Sequence, residues 1–205
     1  MPDLVIPDEC LKYIRWQRSR FIKAKVPDDN EVKRLYTEWV MQDFAGMEPH
    51  LPKHVDSILE IGCGMAAIEV LLKRKYPEAT LTLLDGTGSN ICEAGTTHET
   101  GIGGWQDTLT PYNSREHTEL LLQANGIKVD EWLDIGTKQH LKADLILSMA
   151  SFCYHYPFET YRFSGLSIID MRRSHNAERI KKIKSEGGKV IFAGPKYDRC
   201  MWQQD

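Results

Sequence analysis

The sequence lacks several features that would place the chain in a specialised class of protein. Its apolar runs stay far below the roughly 20 residues that a membrane-spanning helix needs. Its first residues, MPDLVIPDEC, contain no basic region followed by an apolar one, so no secretory signal is expected. Internal repeats and low-complexity segments are also missing. We therefore expect a soluble globular chain without a membrane partner.

Cysteine is scarce and scattered. The chain has an odd number of cysteines without a C-x-x-C pair, namely Cys10, Cys63, Cys92, Cys153 and Cys200. This arrangement is typical of reduced thiols in the cytoplasm, and it argues against a disulfide framework or a structural zinc site.

The composition is that of an ordinary globular domain. Of the 205 residues, 41% are hydrophobic and 27% are charged, which is enough apolar material for one core. The formal net charge is −3, so non-specific attraction to nucleic acid is not favoured. The pattern of apolar residues changes near residue 55. It predicts an amino-terminal helical extension over residues 1–54 and a larger domain over residues 55–205.

The predicted extension contains two helices. Three-and-four spacing over residues 29–47 places on one face Val32, Leu35, Tyr36, Trp39 and Val40. The stretch 11–25 has no acid and carries the basic residues Lys12, Arg15, Arg18, Arg20, Lys23 and Lys25. Such a stretch is most often a solvated helix face, and the alternative is recognition of phosphate on an acceptor such as a nucleotide-sugar or RNA.

Strands and helices alternate from Ser57 onward. The predicted strands are 57–61, 79–85, one within 128–135, 143–149, 166–171, and a final pair at 189–194 and 199–203 that is expected to be antiparallel. The predicted helices are 65–76, 114–125, a short one within 156–163, and 176–186. Asn113 and Glu116 have capping-box spacing, and Gly126 is a suitable helix stop. Such alternation predicts an α/β fold with a mostly parallel sheet covered on both faces.

A glycine-rich turn follows the first predicted strand. Gly62, Gly64 and Ala67 form G-x-G-x-x-A, in which small residues let a ligand approach the main chain. Asp85 ends the second strand, where a carboxylate can accept hydrogen bonds from ribose hydroxyls. These features fit either a nicotinamide dinucleotide or S-adenosylmethionine.

Glu60 favours one of these two cofactors. It precedes Gly62 by two residues and is expected at the mouth of the site. A carboxylate there repels a pyrophosphate but attracts the ammonium and sulfonium groups of S-adenosylmethionine. The alternative is that Glu60 caps local amides and the glycines serve packing.

The stretch LEIGCGMAAIEVLL, followed by LLDGTG, resembles class I S-adenosylmethionine-dependent methyltransferases over most of Ser57 to Gln203. PYNS, SMASFCYHYPFETY and IIDMRR also resemble a bacterial and phage group of poorly defined substrate. The resemblance implies a Rossmann-like, seven-stranded sheet with a terminal antiparallel pair. Residues matching Glu60, Gly62 and Gly64 surround the methionine part in that superfamily, the match to Asp85 holds the ribose, and that to Asp134 often faces the adenine. The cofactor-binding candidates are Glu60, Gly62, Cys63, Gly64, Asp85, Gly86, Asp134 and Ser148.

The segment SMASFCYHYP, residues 148–157, follows the fourth strand, where a methyl acceptor would lie. We hypothesise that His155 removes the acceptor's proton and that Tyr154 or Tyr156 shapes the acceptor pocket. The alternative is that these three side chains pack the strand–helix junction with their polar ends hydrogen-bonded.

Two signatures of nucleic-acid methyltransferases are missing, the D/N-P-P-Y/F sequence and a Pro-Cys pair after the fourth strand. We therefore expect methyl transfer to an oxygen or nitrogen of a small polar acceptor, and a sugar is suggested by analogy alone. An RNA or DNA methyltransferase and a non-catalytic S-adenosylmethionine-binding module remain as alternatives. The oligomeric state is left open.

The long segment from Gly86 to Pro111 is either a surface loop or a lid that carries Trp105 over the site. It contains His98 and Asp107, but the ligand spacing of metal-dependent methyltransferases is missing, so no metal is expected.

Overall fold

A computed structural model describes residues 3–17, 26–85, 114–134, 140–155 and 158–204. Within these ranges one sheet contains all seven described strands. They are β1 (Ser57–Ile61), β2 (Thr80–Asp85), β3 (Glu131–Asp134), β4 (His140–Ser148), β5 (Arg162–Arg172), β6 (Lys189–Ala193) and β7 (Tyr197–Gln204). The order across the sheet is β3-β2-β1-β4-β5-β7-β6. Strand β7 runs antiparallel to both β5 and β6, and the other neighbours are parallel.

The predicted α/β fold with a mostly parallel sheet and a terminal antiparallel pair is therefore confirmed. Strands β1, β2 and β4 are buried along most of their length, as expected for parallel strands covered on both faces. Because the chain returns from β3 to the other side of β1, strand order reverses between β1 and β4. Ligands of open α/β sheets bind at the carboxyl ends of the strands at such a reversal.

Helices cover both faces of the sheet. They are α1 (Leu11–Gln17), α2 (Asp29–Met47), α3 (Ala67–Lys75), α4 (Arg115–Ala124), α5 (Phe152–His155) and α6 (Arg173–Ser185). Short 3-10 helices cover Asp8–Cys10, Glu48–His50 and Phe158–Thr160. Apolar side chains of α1 to α4 share one core with one face of the sheet, and those of α5 and α6 pack in the core on the other face. In the described ranges, no helix combines the length and the apolar character needed to cross a membrane.

The amino-terminal residues are fastened to α4 by a pair of hydrogen bonds. The backbone amide of Val5 donates to Oδ1 of Asn125 at 3.0 Å, and Nδ2 of Asn125 donates to the Val5 carbonyl at 2.8 Å. Leu4 and Ile6 on either side are buried in the same core as β1 and β2. The described part of the 1–54 extension thus shares its core with the sheet.

The start of α4 differs from the sequence prediction. Its N-cap is Ser114, whose hydroxyl accepts the amide of His117 at 3.3 Å. The predicted cap, Asn113, lies outside the described residues. Asn113 and Ser114 are both residue types that suit an N-cap, and in the structure Ser114 has the extended backbone of the cap position. Gly126 ends the helix with φ of 73°, as predicted.

Two boundaries on the carboxyl-terminal side also differ from prediction. The short helix expected within 156–163 reduces to the 3-10 turn Phe158–Thr160, because Arg162 and Phe163 already pair with β4 as part of β5. Helix α6 begins at Arg173 and not at Asn176. The Asn176 side chain donates to the carbonyls of Cys153 and Arg172 while its own backbone departs from helical geometry.

A buried ion cluster joins the extension to the far side of the sheet. Arg199 on β7 donates to both oxygens of Asp170 on β5, at 2.7 and 3.1 Å, and to Asp43 on α2 at 3.1 Å. Arg199 and Asp170 are almost wholly inaccessible to solvent. Burial raises the pKa of Asp170, and the hydrogen bonds from Arg199 oppose that rise. The guanidinium is therefore needed to keep a buried carboxylate ionised.

Replacement of Arg199 by leucine should destabilise the fold strongly, because it leaves Asp170 buried without its cation. We expect a loss of about 3–5 kcal/mol in the free energy of unfolding, measured by urea denaturation. Arg34→Leu is the control, since Arg34 pairs with Glu31 and Glu38 at the surface, and its loss should stay below about 1 kcal/mol. Equal losses in the two variants would contradict the role given to Arg199.

Candidate functional site

The turn after β1 adopts a backbone that explains its glycines. Gly62 and Gly64 have φ of 71° and 56°, in the left-handed region that glycine enters without strain. The Gly62 amide donates to the Leu84 carbonyl at 2.7 Å and so extends the pairing with β2. The Ala66 amide then donates to the Cys63 carbonyl at 2.8 Å just before α3 begins. The predicted strand, glycine turn and helix are all present.

Gly62 also lies against the segment that follows β4. A Cβ atom on Gly62 would lie 1.7 Å from Oγ and 2.5 Å from Cβ of Ser151. No side chain larger than hydrogen fits there unless the backbone moves. The turn and the post-β4 segment therefore meet at the point where strand order reverses.

Asp85 holds the turn from the end of β2. Its Oδ2 accepts the Gly64 amide at 3.1 Å and lies 3.4 Å from the Cys63 sulfur. Burial, and then the negative charge of Asp85, raise the pKa of the Cys63 thiol well above its usual value. Cys63 is therefore a neutral hydrogen-bond donor and not a nucleophile.

Asp134 lies beside Asp85 at the same edge of the sheet. The two residues are register partners on the parallel strands β2 and β3, so their side chains leave the same face. Asp134 forms an ion pair with Arg115, in which Nη2 of Arg115 lies 2.7 Å from Oδ1 of Asp134. The Arg115 guanidinium also lies 4.6 Å from the centre of the Trp132 ring. This is the neighbourhood in which the sequence predicts the adenosine part of a cofactor.

Glu60 lies beneath the turn and not at its mouth, which corrects the sequence-based expectation. As the fourth residue of β1 it points toward α3, and it is only 2% exposed. Its Oε1 accepts a hydrogen bond from the Met149 amide at 3.2 Å. Glu60 therefore does cap a backbone amide, but that amide belongs to the segment after β4 and not to the adjacent turn. Its Oε2 is buried and receives no hydrogen bond from an N–H or hydroxyl donor of the described residues.

Glu69 is the partner of Glu60, and sequence reasoning missed it. It lies on α3, is 2% exposed, and its carboxyl group lies next to that of Glu60. Burial raises the pKa of Glu69 to about 7 and that of Glu60 well above its usual value, and the negative charge of Glu69 adds to the rise at Glu60. The available signal was that Glu69 is the one polar residue in the apolar run 65–72.

The segment that follows β4, residues 148–152, is held in place by side-chain hydrogen bonds to neighbouring elements. Ser148 is fully buried, and its hydroxyl donates to the Ile61 carbonyl at 2.8 Å and accepts the Phe152 amide at 2.9 Å. Ala150, with φ of 53°, donates its amide to Oδ2 of Asp170 at 3.0 Å. Ser148 therefore connects β1, β4 and α5, and a direct contact with cofactor remains a prediction.

Thr118 is a second site residue that the sequence did not reveal. Its hydroxyl is wholly buried and lies 2.8 Å from the Gly64 carbonyl and 3.1 Å from that of Ser114. Through it the first turn of α4 is fastened to the glycine turn, which positions α4 beside the site.

Several predicted residues lie outside the described part of the chain. They include Gly86, His98, Trp105, Asp107 and Tyr156, together with Arg18, Arg20, Lys23 and Lys25 of the basic stretch. The backbones of Tyr154 and His155 form the end of α5, and their side chains are likewise outside the described part. Of the remaining basic residues, Arg15 pairs with Asp29 at 2.6 Å.

No family model and no curated protein matches the sequence. Among solved structures, a TehB-like S-adenosylmethionine-dependent methyltransferase from Corynebacterium glutamicum is similar over 97% of this chain and 100% of its own, with 11% identity and a TM-score of 0.49. A ribosomal protein L11 methylase from Lactobacillus delbrueckii is similar over 78% and 76%, with 14% identity and a TM-score of 0.45. The mitomycin 7-O-methyltransferase matches 92% of this chain, which spans only 60% of that protein, with 12% identity and a TM-score of 0.45. Such likeness concerns the fold alone, so activity has to be argued from the site.

Replacing Gly62 by alanine should destabilise the protein more than the same change at Gly126. Both glycines have φ close to +72°, but a Cβ on Gly126 meets no atom within 4 Å. Gly126→Ala should therefore cost about 1 kcal/mol of backbone strain. Gly62→Ala should cost a further ~1–3 kcal/mol for the clash with Ser151, measured by urea denaturation.

The double variant Gly62→Ala with Ser151→Gly separates the two causes. Removing the Ser151 side chain should recover most of the additional loss and leave the strain. Identical stabilities of Gly62→Ala and Gly126→Ala, or no recovery in the double variant, would show that the close approach of the two segments is incorrect.

Proposed function

We propose that the chain binds S-adenosylmethionine at the glycine turn and transfers its methyl group to an oxygen or nitrogen of a small polar acceptor. The observation that carries the proposal is the buried pair of carboxyl groups, Glu60 and Glu69, beneath that turn. In the reaction the bond between the methyl carbon and sulfur breaks, and a bond from that carbon to the acceptor forms. S-adenosylhomocysteine leaves, and the acceptor's proton passes to a base.

The carboxyl pair distinguishes between cofactors by charge. A dinucleotide would bring the two negative charges of its pyrophosphate close to Glu60, Glu69 and Asp85, which is unfavourable in a poorly solvated site. S-adenosylmethionine has no phosphate and carries an ammonium and a sulfonium group. Both cations lower their energy beside carboxyl groups that can ionise.

The adenosine part would be held at the ends of β2 and β3. A carboxylate has room for several hydrogen bonds, so Asp85 can hold the Gly64 amide and also accept ribose hydroxyls. Asp134 is its register partner and is 42% exposed at the side-chain level, which leaves it accessible to the edge of an adenine ring. Gly62, Cys63 and Gly64 would line the path between these two carboxylates and the buried pair, and Gly86 stays a candidate from the sequence alone.

The cofactor supplies the methyl group and the leaving group, so this chain has to orient the acceptor and accept a proton. We assign the proton to His155 and the shape of the acceptor pocket to Tyr154 or Tyr156. The support is positional, because α5 follows the post-β4 segment that contacts the glycine turn. The hydrogen bonds of Ser148 and Ala150 fix that segment relative to the turn.

A small acceptor is favoured over a nucleic acid. The net charge is −3, and Arg15 of the basic stretch is already paired with Asp29. The resemblance to a bacterial and phage group of poorly defined substrate leaves the acceptor class open, with sugars as first candidates and RNA as a comparison.

Calorimetry with S-adenosylmethionine, S-adenosylhomocysteine and NAD tests the cofactor. We expect binding of the first two and none of NAD, with affinity for S-adenosylmethionine about 10–100-fold weaker in Asp85→Asn. Asp56→Asn is the control, because Asp56 is exposed at the amino-terminal end of β1 and its carboxylate pairs with His54. Binding of NAD without the other two ligands would overturn the proposal.

Methyl transfer to a panel of sugars, nucleotide-sugars and RNA tests the base. On the acceptor that is methylated, His155→Ala should lower turnover by about 10²–10⁴-fold while affinity for S-adenosylmethionine stays near wild type. The control is His175→Ala on α6, whose imidazole bonds to Ser174 at the surface. Turnover of His155→Ala close to that of wild type would remove the residue from the mechanism.

A further inference from the structure

In the part of the chain that the structure describes, the groups that interact with the carboxyl pair beneath the glycine turn are acidic or neutral. Asp85 on β2 and Asp170 on β5 are further carboxyl groups, and the turn contributes the neutral Cys63 thiol. The post-β4 segment contributes the Met149 amide, which donates to Glu60. Arg199, the buried cation of this region, bonds to Asp170 and Asp43.

No ion pair within the described residues joins a basic side chain to Glu60 or Glu69. Two adjacent carboxylates in such surroundings cannot both be ionised at low cost. The Oε2 atom of Glu60 is buried and lacks a donor from neighbouring amides and hydroxyls. A proton kept between the two carboxyl groups is the donor that the geometry otherwise lacks.

We infer that Glu69 is a positioning residue that shares one proton with Glu60 in the ligand-free protein, and that a cationic ligand bound at the turn displaces this proton into solvent. The inference rests on the proposed function for the identity of the ligand, an adenosine derivative with an ammonium or sulfonium group. The ligand keeps its own charge, the carboxyl pair loses one proton, and the solvent gains it. The pair therefore carries one negative charge when the site is empty, and a second negative charge develops only when the cation arrives.

The shared proton makes the affinity for the cationic ligand depend on pH in a defined direction. Because burial raises the pKa of Glu69 to about 7, the free protein is mostly protonated at this pair below pH 7. Binding then requires deprotonation, so affinity for the cation should rise with pH over the range in which the ligand-free pair is protonated. A site that stays ionised when empty would show no such rise.

Calorimetry in buffers of different ionisation enthalpy measures the protons released on binding S-adenosylmethionine. Just below pH 7 the wild type should release up to about one proton per site, and its dissociation constant should fall by at most about tenfold per pH unit. Glu69→Gln keeps the shape, removes one carboxyl group and supplies an amide donor to an ionised Glu60, so both effects should be clearly smaller than in the wild type. Glu178→Gln, a change at the exposed surface of α6, should behave as wild type.

A comparison with S-adenosylhomocysteine identifies which charged group of the ligand displaces the proton. It has the same ammonium group as S-adenosylmethionine, but its sulfur is neutral. Equal release with both ligands supports displacement by the ammonium, and release with S-adenosylmethionine alone supports displacement by the sulfonium. Binding of S-adenosylmethionine without proton release, or equal release in Glu69→Gln, would overturn the inference and leave the proposed function standing.

A ligand-free measurement tests the shared proton even where the cofactor does not bind. A carboxyl group whose pKa is raised on folding stabilises the fold at low pH, and this contribution is lost as pH rises from the unfolded value near 4.5 through the folded value near 7. The wild type should therefore lose thermal stability across this range relative to Glu69→Gln. Parallel curves for the two proteins would overturn the shared proton, whereas failure of all cofactors to bind would overturn only the proposed function.

Discussion

Buried carboxyl groups that accept backbone amides organise the carboxyl edge of this sheet. Asp85 accepts the Gly64 amide, Glu60 accepts that of Met149, and Asp170 accepts that of Ala150. Each bond fixes a chain segment just beyond a strand, where regular pairing has ended and amides need partners. The turn after β1 and the segment after β4 can approach each other because both are anchored in this way.

Burying these carboxyl groups costs free energy, and the fold offsets that cost differently for each one. Asp170 is balanced by Arg199, whereas Asp85 is partly offset by the Gly64 amide. Glu60 and Glu69 have no basic partner in the described chain, and the physically reasonable solution is a retained proton. Stability and ligand preference are thus set by one group of side chains, which is common where function needs a strained or charged site.

The sequence was sufficient to predict those elements whose structure depends on interactions between residues close together in the chain. The apolar run before Gly62, the two glycines and the apolar face of α3 predicted strand, turn and helix, and all are present. Alternating strands and helices, with the resemblance, predicted the sheet and its antiparallel pair. Where two adjacent residues were chemically equivalent, as with Asn113 and Ser114, the prediction missed by one position. The roles of Thr118 and Ser151 could not be predicted, since each depends on a contact made only after the strands have assembled. For Glu69 the sequence offered one signal, a polar residue within an apolar run, but not its partner Glu60.

The cluster of Arg199, Asp170 and Asp43 has a consequence for how the chain acquires its structure during synthesis. Arg199 follows Asp43 by 156 positions and Asp170 by 29, so the cluster closes only after β7 has left the ribosome. Until then Asp170 lacks the cation that it bonds to in the finished fold, and its strand β5 lacks the neighbour β7. The carboxyl group that accepts the Ala150 amide therefore obtains its cation only when the chain is nearly complete.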